Sequence, residues 1–332
     1  MMKVAVFSCK PYDQRTLSKA AAHHPALSLS YFESRLSTET MSLANGFDAV
    51  ACFVNDNVDR HVIQHLAEHG ISAIALRCAG FNNVDLSAAK AANIKVYHVP
   101  DYSPTSVAEH AVALIMTLNR KTHRAYHRVK EGNFALEGLL GFNLQSRTVG
   151  CIGTGRIGQA FCHIMRGFGC RVLCYDISPN DELIASGCEY TDLETLYTES
   201  DIISLHCPLN ASTHHLINTN SLEKMKQGVM IINTSRGALV NAQEAIDALY
   251  SGKIGYLGLD VYEQENAIFF EDMSSHIIQD SVFQLMLTFP NVVVTGHQGY
   301  FTQEALDHIA DTTLENLITH AEGKPSQRLL NP

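Results

Sequence analysis

Three glycines and an aspartate carry the first chemical signal in this 332-residue chain. Gly153, Gly155 and Gly158 follow the apolar run 148–152 and open a helical pattern, in the order G-x-G-x-x-G. The first glycine permits a tight turn. The second lets backbone approach a pyrophosphate, and the third lets helix and strand pack closely. A helix starting there offers free amides and the positive end of its dipole to the anion. The next apolar run, 171–175, ends at Asp176, where a carboxylate accepts both ribose hydroxyls of NAD and repels the 2′-phosphate of NADP.

Later runs end in polar or charged residues. After 202–205 come His206, Cys207 and Pro208; after 229–233 come Thr234, Ser235, Arg236 and Gly237. The run 255–259 ends at Asp260, and 292–295 at Gly296, His297 and Gln298. In an open parallel sheet ligands sit outside the carboxyl ends of the strands, so these ends address one crevice. Taken singly, His297 is one of 17 histidines and Arg236 could be an ordinary ion-pair partner; their place at strand ends lifts them above that background.

The elements that must position these residues alternate in βαβ rhythm. Runs 4–9, 49–54, 72–76 and 94–99 read as buried strands, separated by helical segments such as 61–69 and 86–92. Ser103 and Pro104 read as the start of a long helix with Val107, Ala111, Leu114, Ile115 and Leu118 on one stripe, facing either a core or another subunit. A second series of six strands begins near Thr148. The last helical segment, 302–323, is expected to return to the first domain, because six strands complete the second sheet.

Composition bounds the rest. Hydrophobic residues make up 46% and charged residues 17%, ample for two buried cores. The net charge of −10, with no basic cluster, argues against nucleic acid as a partner. The nine cysteines show no paired CxxC spacing and several lie in apolar runs, including Cys9, Cys52, Cys151 and Cys174. They read as buried reduced thiols, with no metal site expected. The first residues read as a strand instead of a signal peptide, and no run is long enough to span a membrane, so a cytoplasmic protein without membrane partners is expected.

The ordered motifs resemble those of the D-isomer-specific 2-hydroxyacid dehydrogenases: GTGRIG at 153–158, SLHCPL at 204–209, MIINTSRG at 230–237, GLDVYE at 258–263 and TGHQ at 295–298. RCAGFNNVD at 77–85, VPDYSP at 99–104 and Asn143 with Leu144 are similar to the bacterial fermentative D-lactate dehydrogenase branch, and the likeness runs through essentially the whole chain. The resemblance implies an α/β fold of two doubly wound parallel-sheet domains. A flavodoxin-like catalytic domain is formed by 1–100 plus 299–332, and a Rossmann NAD-binding domain by 101–298. It implies Arg236, Glu265 and His297 as catalytic residues. Arg156, Ile157, Asp176, Cys207, Pro208, Thr213, Thr234, Ser235 and Asp260 are implied NAD contacts. The family often carries asparagine where Thr213 stands. Ala79, Gly80 and Tyr102 match the substrate-facing edge of the first domain. The expected partners are a small 2-keto or 2-hydroxy acid and further copies of the chain, as a homodimer or homotetramer.

The resemblance implies reversible NADH-dependent reduction of pyruvate to D-lactate, and the chemistry of these residues fits reduction of a 2-keto acid. Histidine titrates near neutrality and serves as acid in one direction and base in the other. Arg236 offers a planar fork matching a carboxylate, and Glu265 would hold the His297 ring. Closure of a cleft between the domains is expected to exclude water. Dehydrogenation of another D-2-hydroxyacid (hydroxyisocaproate, glyoxylate or hydroxypyruvate) is an alternative. An NADH-responsive corepressor-like binding protein is another.

Overall fold

Two parallel sheets organise the chain in this computed structural model, which describes residues 1–265 and 268–332. The first is built from β1 (Met2–Val6), β2 (Leu27–Tyr31), β3 (Ala49–Cys52), β4 (Ala73–Leu76) and β5 (Lys95–Tyr97), in the order β2-β1-β3-β4-β5. The second contains β6 (Thr148–Ile152), β7 (Arg171–Tyr175), β8 (Glu189–Tyr190), β9 (Ile202–Leu205), β10 (Val229–Asn233), β11 (Ile254–Leu259) and β12 (Val292–Val294). Their order is β12-β11-β10-β9-β6-β7-β8. Every pairing is parallel. Both are doubly wound, with the order reversing beside the first strand of each series.

The chain divides into two compact units, Met1–Ser103 with Tyr300–Pro332, and Pro104–Gly299. Residues 101–103 thus belong to the first unit and Gly299 to the second, a few residues from the expected divisions.

In the first unit, β3 and β4 are buried throughout, as strands covered on both faces must be. Ala49, Ala51, Ala73 and Ala75 lie in one apolar cluster with Ala310, Leu314 and Leu317 of helix Gln303–Ala321. Small side chains on the sheet let that helix seat closely. Its start is capped by Thr302, whose hydroxyl accepts from the Ala305 amide at 3.3 Å. Beyond β4, Arg77 is buried: its Nη1 lies 2.7 Å from Asp13 Oδ1, and Nη2 donates to the carbonyls of Phe7 and Ser8. A buried guanidinium is tolerated only when paired and hydrogen-bonded in this way.

In the second unit Ala111, Leu114, Ile115 and Leu118 of the predicted stripe on helix Pro104–Arg120 are buried in a core shared with Phe161, Met165 and Ile232, and Val107 is buried outside that cluster. From Ala111 onward the stripe therefore faces a core within its own unit.

Each sheet holds one strand more than sequence patterning predicts, and both extra strands lie at an edge. In β2, Leu27, Leu29 and Tyr31 alternate with serines, because only one face meets the core. The two-residue β8 is too short for any periodicity. The first strand also ends early: Ser8 adopts φ 49°, which turns the chain out of the extended region before Cys9.

Candidate active site

The carboxyl ends of the second sheet carry the predicted cofactor residues. Gly153 has φ +94°, and a Cβ there would lie 2.5 Å from the Cys207 amide nitrogen, so only glycine lets the β6 and β9 ends come this close. A Cβ on Gly158 would lie 2.0 Å from the Gly153 carbonyl oxygen. Gly155 precedes helix Arg156–Gly167 with no side-chain cap, and a Cβ there would meet open space. Arg156 and Ile157 form the first turn of this helix.

Asp176, just beyond β7, is held against that turn. Its Oδ2 accepts from the Thr154 amide at 2.6 Å and the Thr154 hydroxyl at 3.2 Å, and Oδ1 from the Ser178 amide. The Tyr190 hydroxyl donates to Thr154 Oγ1 at 2.8 Å, so the edge strand β8 braces the aspartate.

Past β9, His206 has its Nε2 2.9 Å from Ser204 Oγ, and burial pushes its pKa down to about 3, which keeps the ring neutral. Cys207 is buried, and burial raises its thiol to about 11. Pro208 is exposed, and Thr213 closes the loop after it, its hydroxyl donating to the Pro208 carbonyl at 2.7 Å. Past β10, Ser235 Oγ donates to the Cys207 carbonyl at 2.7 Å, joining two neighbouring strand ends. The Thr234 hydroxyl oxygen is buried without a partner among the described residues.

The predicted catalytic residues form one run of contacts. Asn233 shapes the Arg236 turn: its Oδ1 accepts from the Ser235 amide and its Nδ2 donates to the Arg236 carbonyl. Arg236 is half-buried and its Nη1 donates to the Ser235 carbonyl at 2.7 Å. Gly237 packs so tightly that a Cβ would lie 2.0 Å from the Tyr262 carbonyl carbon. The Tyr262 amide donates to Glu265 Oε2 at 2.8 Å, and Glu265 Oε1 lies 2.9 Å from His297 Nδ1. His297 is mostly buried, and Phe270 packs 5.5 Å away, centroid to centroid. The histidine has φ 55°, a strained conformation that persists where the surroundings impose it.

Asp260 imposes it. The carboxylate is buried, accepting from the Gln298 and Gly299 amides at 2.9 and 2.7 Å and from Thr295 Oγ1 at 2.5 Å, with His110 Nε2 at 3.2 Å. Burial alone would raise its pKa, but the His110 contact and these donors hold it below the usual carboxylate value. The structure commits both oxygens of this predicted NAD contact to the turn carrying His297.

Thr154, Tyr190, Asn233 and His110 escaped sequence reasoning. Asn233 and Thr154 adjoin recognisable motifs and could have been suspected; His110 and Tyr190 reach the site only through tertiary contacts.

In the first unit, the Ala79 carbonyl lies 3.0 Å from His98 Nδ1, and the Gly80 carbonyl accepts from the Cys78 thiol. Tyr102 meets Tyr300 edge to face at 6.1 Å.

An uncapped helix start beside open space, a braced acid on the next strand and an unsatisfied buried hydroxyl all fit a dinucleotide. The profile of the D-isomer specific 2-hydroxyacid dehydrogenase, NAD binding domain, matches residues 112–299. The chain belongs to the D-isomer specific 2-hydroxyacid dehydrogenases, and is an NAD-dependent oxidoreductase. It is 51% identical over 323 residues to the D-lactate dehydrogenase of Escherichia coli (strain K12), covering 97% of this chain and 98% of that one. The structure of the pyruvate reductase of Chlamydomonas reinhardtii superposes with a TM-score of 0.93 at 44% identity, over 98% of both chains. That of Aquifex aeolicus D-lactate dehydrogenase complexed with NAD and lactic acid gives 0.88 at 32% identity, over 99% of both.

Proposed function

We propose that the protein is a D-lactate dehydrogenase, catalysing the reversible NADH-dependent reduction of pyruvate to D-lactate. The observation that carries this reading is the contact run from the Arg236 turn through Tyr262 and Glu265 to His297, at the ends of adjacent strands. The high identity to relatives named for this reaction supports it.

The amides opening helix Arg156–Gly167, with Asp176, Thr234 and Ser235, would hold NAD along the sheet edge; Cys207, Pro208 and Thr213 shape the loop beside them. When bound, NADH supplies the hydride from its nicotinamide ring. Arg236 pairs with the substrate carboxylate and polarises the neighbouring carbonyl. Glu265 on Nδ1 favours a proton there and leaves Nε2 of His297 as the atom that protonates the carbonyl oxygen. In the reverse direction Nε2 takes the hydroxyl proton. Asp260 holds the turn through the Gln298 and Gly299 amides, so His297 keeps its angle in both directions.

We further propose that the chain self-associates through its second unit. Tyr126, Val129, Phe134, Leu136 and Leu140 are all more than half exposed within residues 126–140, and large apolar side chains exposed so close together in sequence favour an interaction surface. Analytical ultracentrifugation tests this: a monomer at micromolar concentration would refute it. A cytoplasmic site of action is supported by nine buried free thiols and by the lack, among described residues, of a helix able to cross a membrane.

The test of function is a panel of 2-keto acids assayed with NADH and NADPH, with chiral analysis of product. Pyruvate and NADH giving D-lactate at well above about 1 s⁻¹ supports the reading. Preference for a longer-chain keto acid would reassign the substrate. NADH binding without turnover would point to a binding protein.

A further inference from the structure

The second unit also gathers sulfur. Cys162 lies on helix Arg156–Gly167, Cys174 on β7 and Cys188 in the turn before β8. All three are buried, and their Sγ atoms lie within 4.8 Å of one another. Cys162 and Cys174 approach to 3.7 Å although twelve residues apart in sequence, and Ser186 Oγ lies 3.7 Å from Cys188 Sγ. No CxxC spacing announces the group, because helix, strand and turn each contribute one thiol.

The separations suit a metal ion. Bonds of about 2.3 Å to a d¹⁰ cation place sulfurs about 3.8 Å apart in a tetrahedron and about 4.0 Å apart in a trigonal plane. Both values fall inside the span this cluster occupies, so ligation needs only small side-chain adjustments. The group contains no imidazole or carboxylate, and its surroundings include the apolar Phe161 and Leu183. Three thiolates in an apolar setting select a soft ion over a hard one. Cys188 is the most accessible of the three, at 4% exposed, beside the two-residue edge strand β8.

We propose that Cys162, Cys174 and Cys188 form a closed three-sulfur site for a thiophilic d¹⁰ cation, Cu⁺ foremost. Each ligating thiol releases its proton to solvent, and no oxidation state changes. The site lies behind the coenzyme turn: Cys174 is two residues before Asp176, and Cys188 two before Tyr190, which braces Thr154.

The test uses the whole, reduced protein titrated with Cd²⁺, read by ultraviolet thiolate-to-cadmium charge transfer, and with Cu⁺ against a competing chelator. One equivalent per chain is expected. Cys174→Ala and Cys188→Ser should each weaken it at least tenfold while retaining NADH binding as a check of folding. Cys9→Ala, in the other unit, should leave uptake unchanged. X-ray absorption on the loaded wild type should show sulfur neighbours only. No stoichiometric uptake, uptake unaffected by the two variants, or nitrogen and oxygen coordination would overturn the proposal.

Discussion

Nδ1 of His297 lies 2.9 Å from Oε1 of Glu265, whose other oxygen accepts the Tyr262 amide at 2.8 Å. The carboxylate is thus fixed by backbone on one side and orients the imidazole on the other. If His297 acts only on the substrate proton, His297→Gln should lower kcat for pyruvate by about 10²–10⁴. NADH affinity, followed by fluorescence, should stay within about twofold of wild type. Loss of NADH binding would remove the role assigned to His297.

Arg236 sits on a turn locked by Asn233, so its guanidinium is presented at a fixed angle. A lysine keeps the charge and loses the fork. Arg236→Lys is expected to raise the Michaelis constant for pyruvate by about tenfold or more, roughly 1.4 kcal/mol. An unchanged constant would take Arg236 out of the carboxylate site.

In the proposed mechanism coenzyme choice rests on Asp176. Because the Thr154 amide and hydroxyl hold it, with the Tyr190 hydroxyl bonded in turn to Thr154 Oγ1, the acid cannot swing aside for a 2′-phosphate. Asp176→Ser should narrow the NADH over NADPH preference in kcat/KM by about tenfold or more, since it removes a like-charge contact worth at least about 1.4 kcal/mol. A ratio left at its wild-type value would show that Asp176 does not face the ribose.

His206 gives a pH signature. Its ring stays neutral in the folded protein down to about 3, while the unfolded chain takes up the proton near the ordinary value of 6.5. The unfolded state therefore binds more protons below about pH 6.5, and stability falls as pH drops from there toward 3. At pH 5 the loss from this group is about 2 kcal/mol. Urea unfolding at pH 7 and pH 5 should show that loss in wild type and its near absence in His206→Gln. Equal losses in both would mean the ring titrates normally.

Much of this was legible in the sequence because the strands that matter are central ones. Ala49–Cys52 and Val229–Asn233 are buried on both faces and appear as continuous apolar runs. Edge strand Leu27–Tyr31 shows only a five-residue apolar–serine alternation and Glu189–Tyr190 is two residues long, so neither forms a continuous apolar run. The glycine turn and Asp176 declare themselves by spacing. Asp260 was legible as important but not in its task. Its partners Gln298 and Gly299 are 38 and 39 residues away, and His110 comes from helix Pro104–Arg120. The sulfur cluster stayed hidden for the same reason.

In the proposed mechanism Arg236 and His297 work on one small molecule beside the coenzyme. A crystal structure of the complex with NAD⁺ and oxamate tests it most directly. The Arg236 guanidinium should pair with the oxamate carboxylate, and Nε2 of His297 should lie within hydrogen-bonding distance of the amide carbonyl oxygen, which occupies the position of the keto oxygen. Oxamate bound away from either residue, or a coenzyme lying elsewhere than along the 153–158 turn, would contradict it.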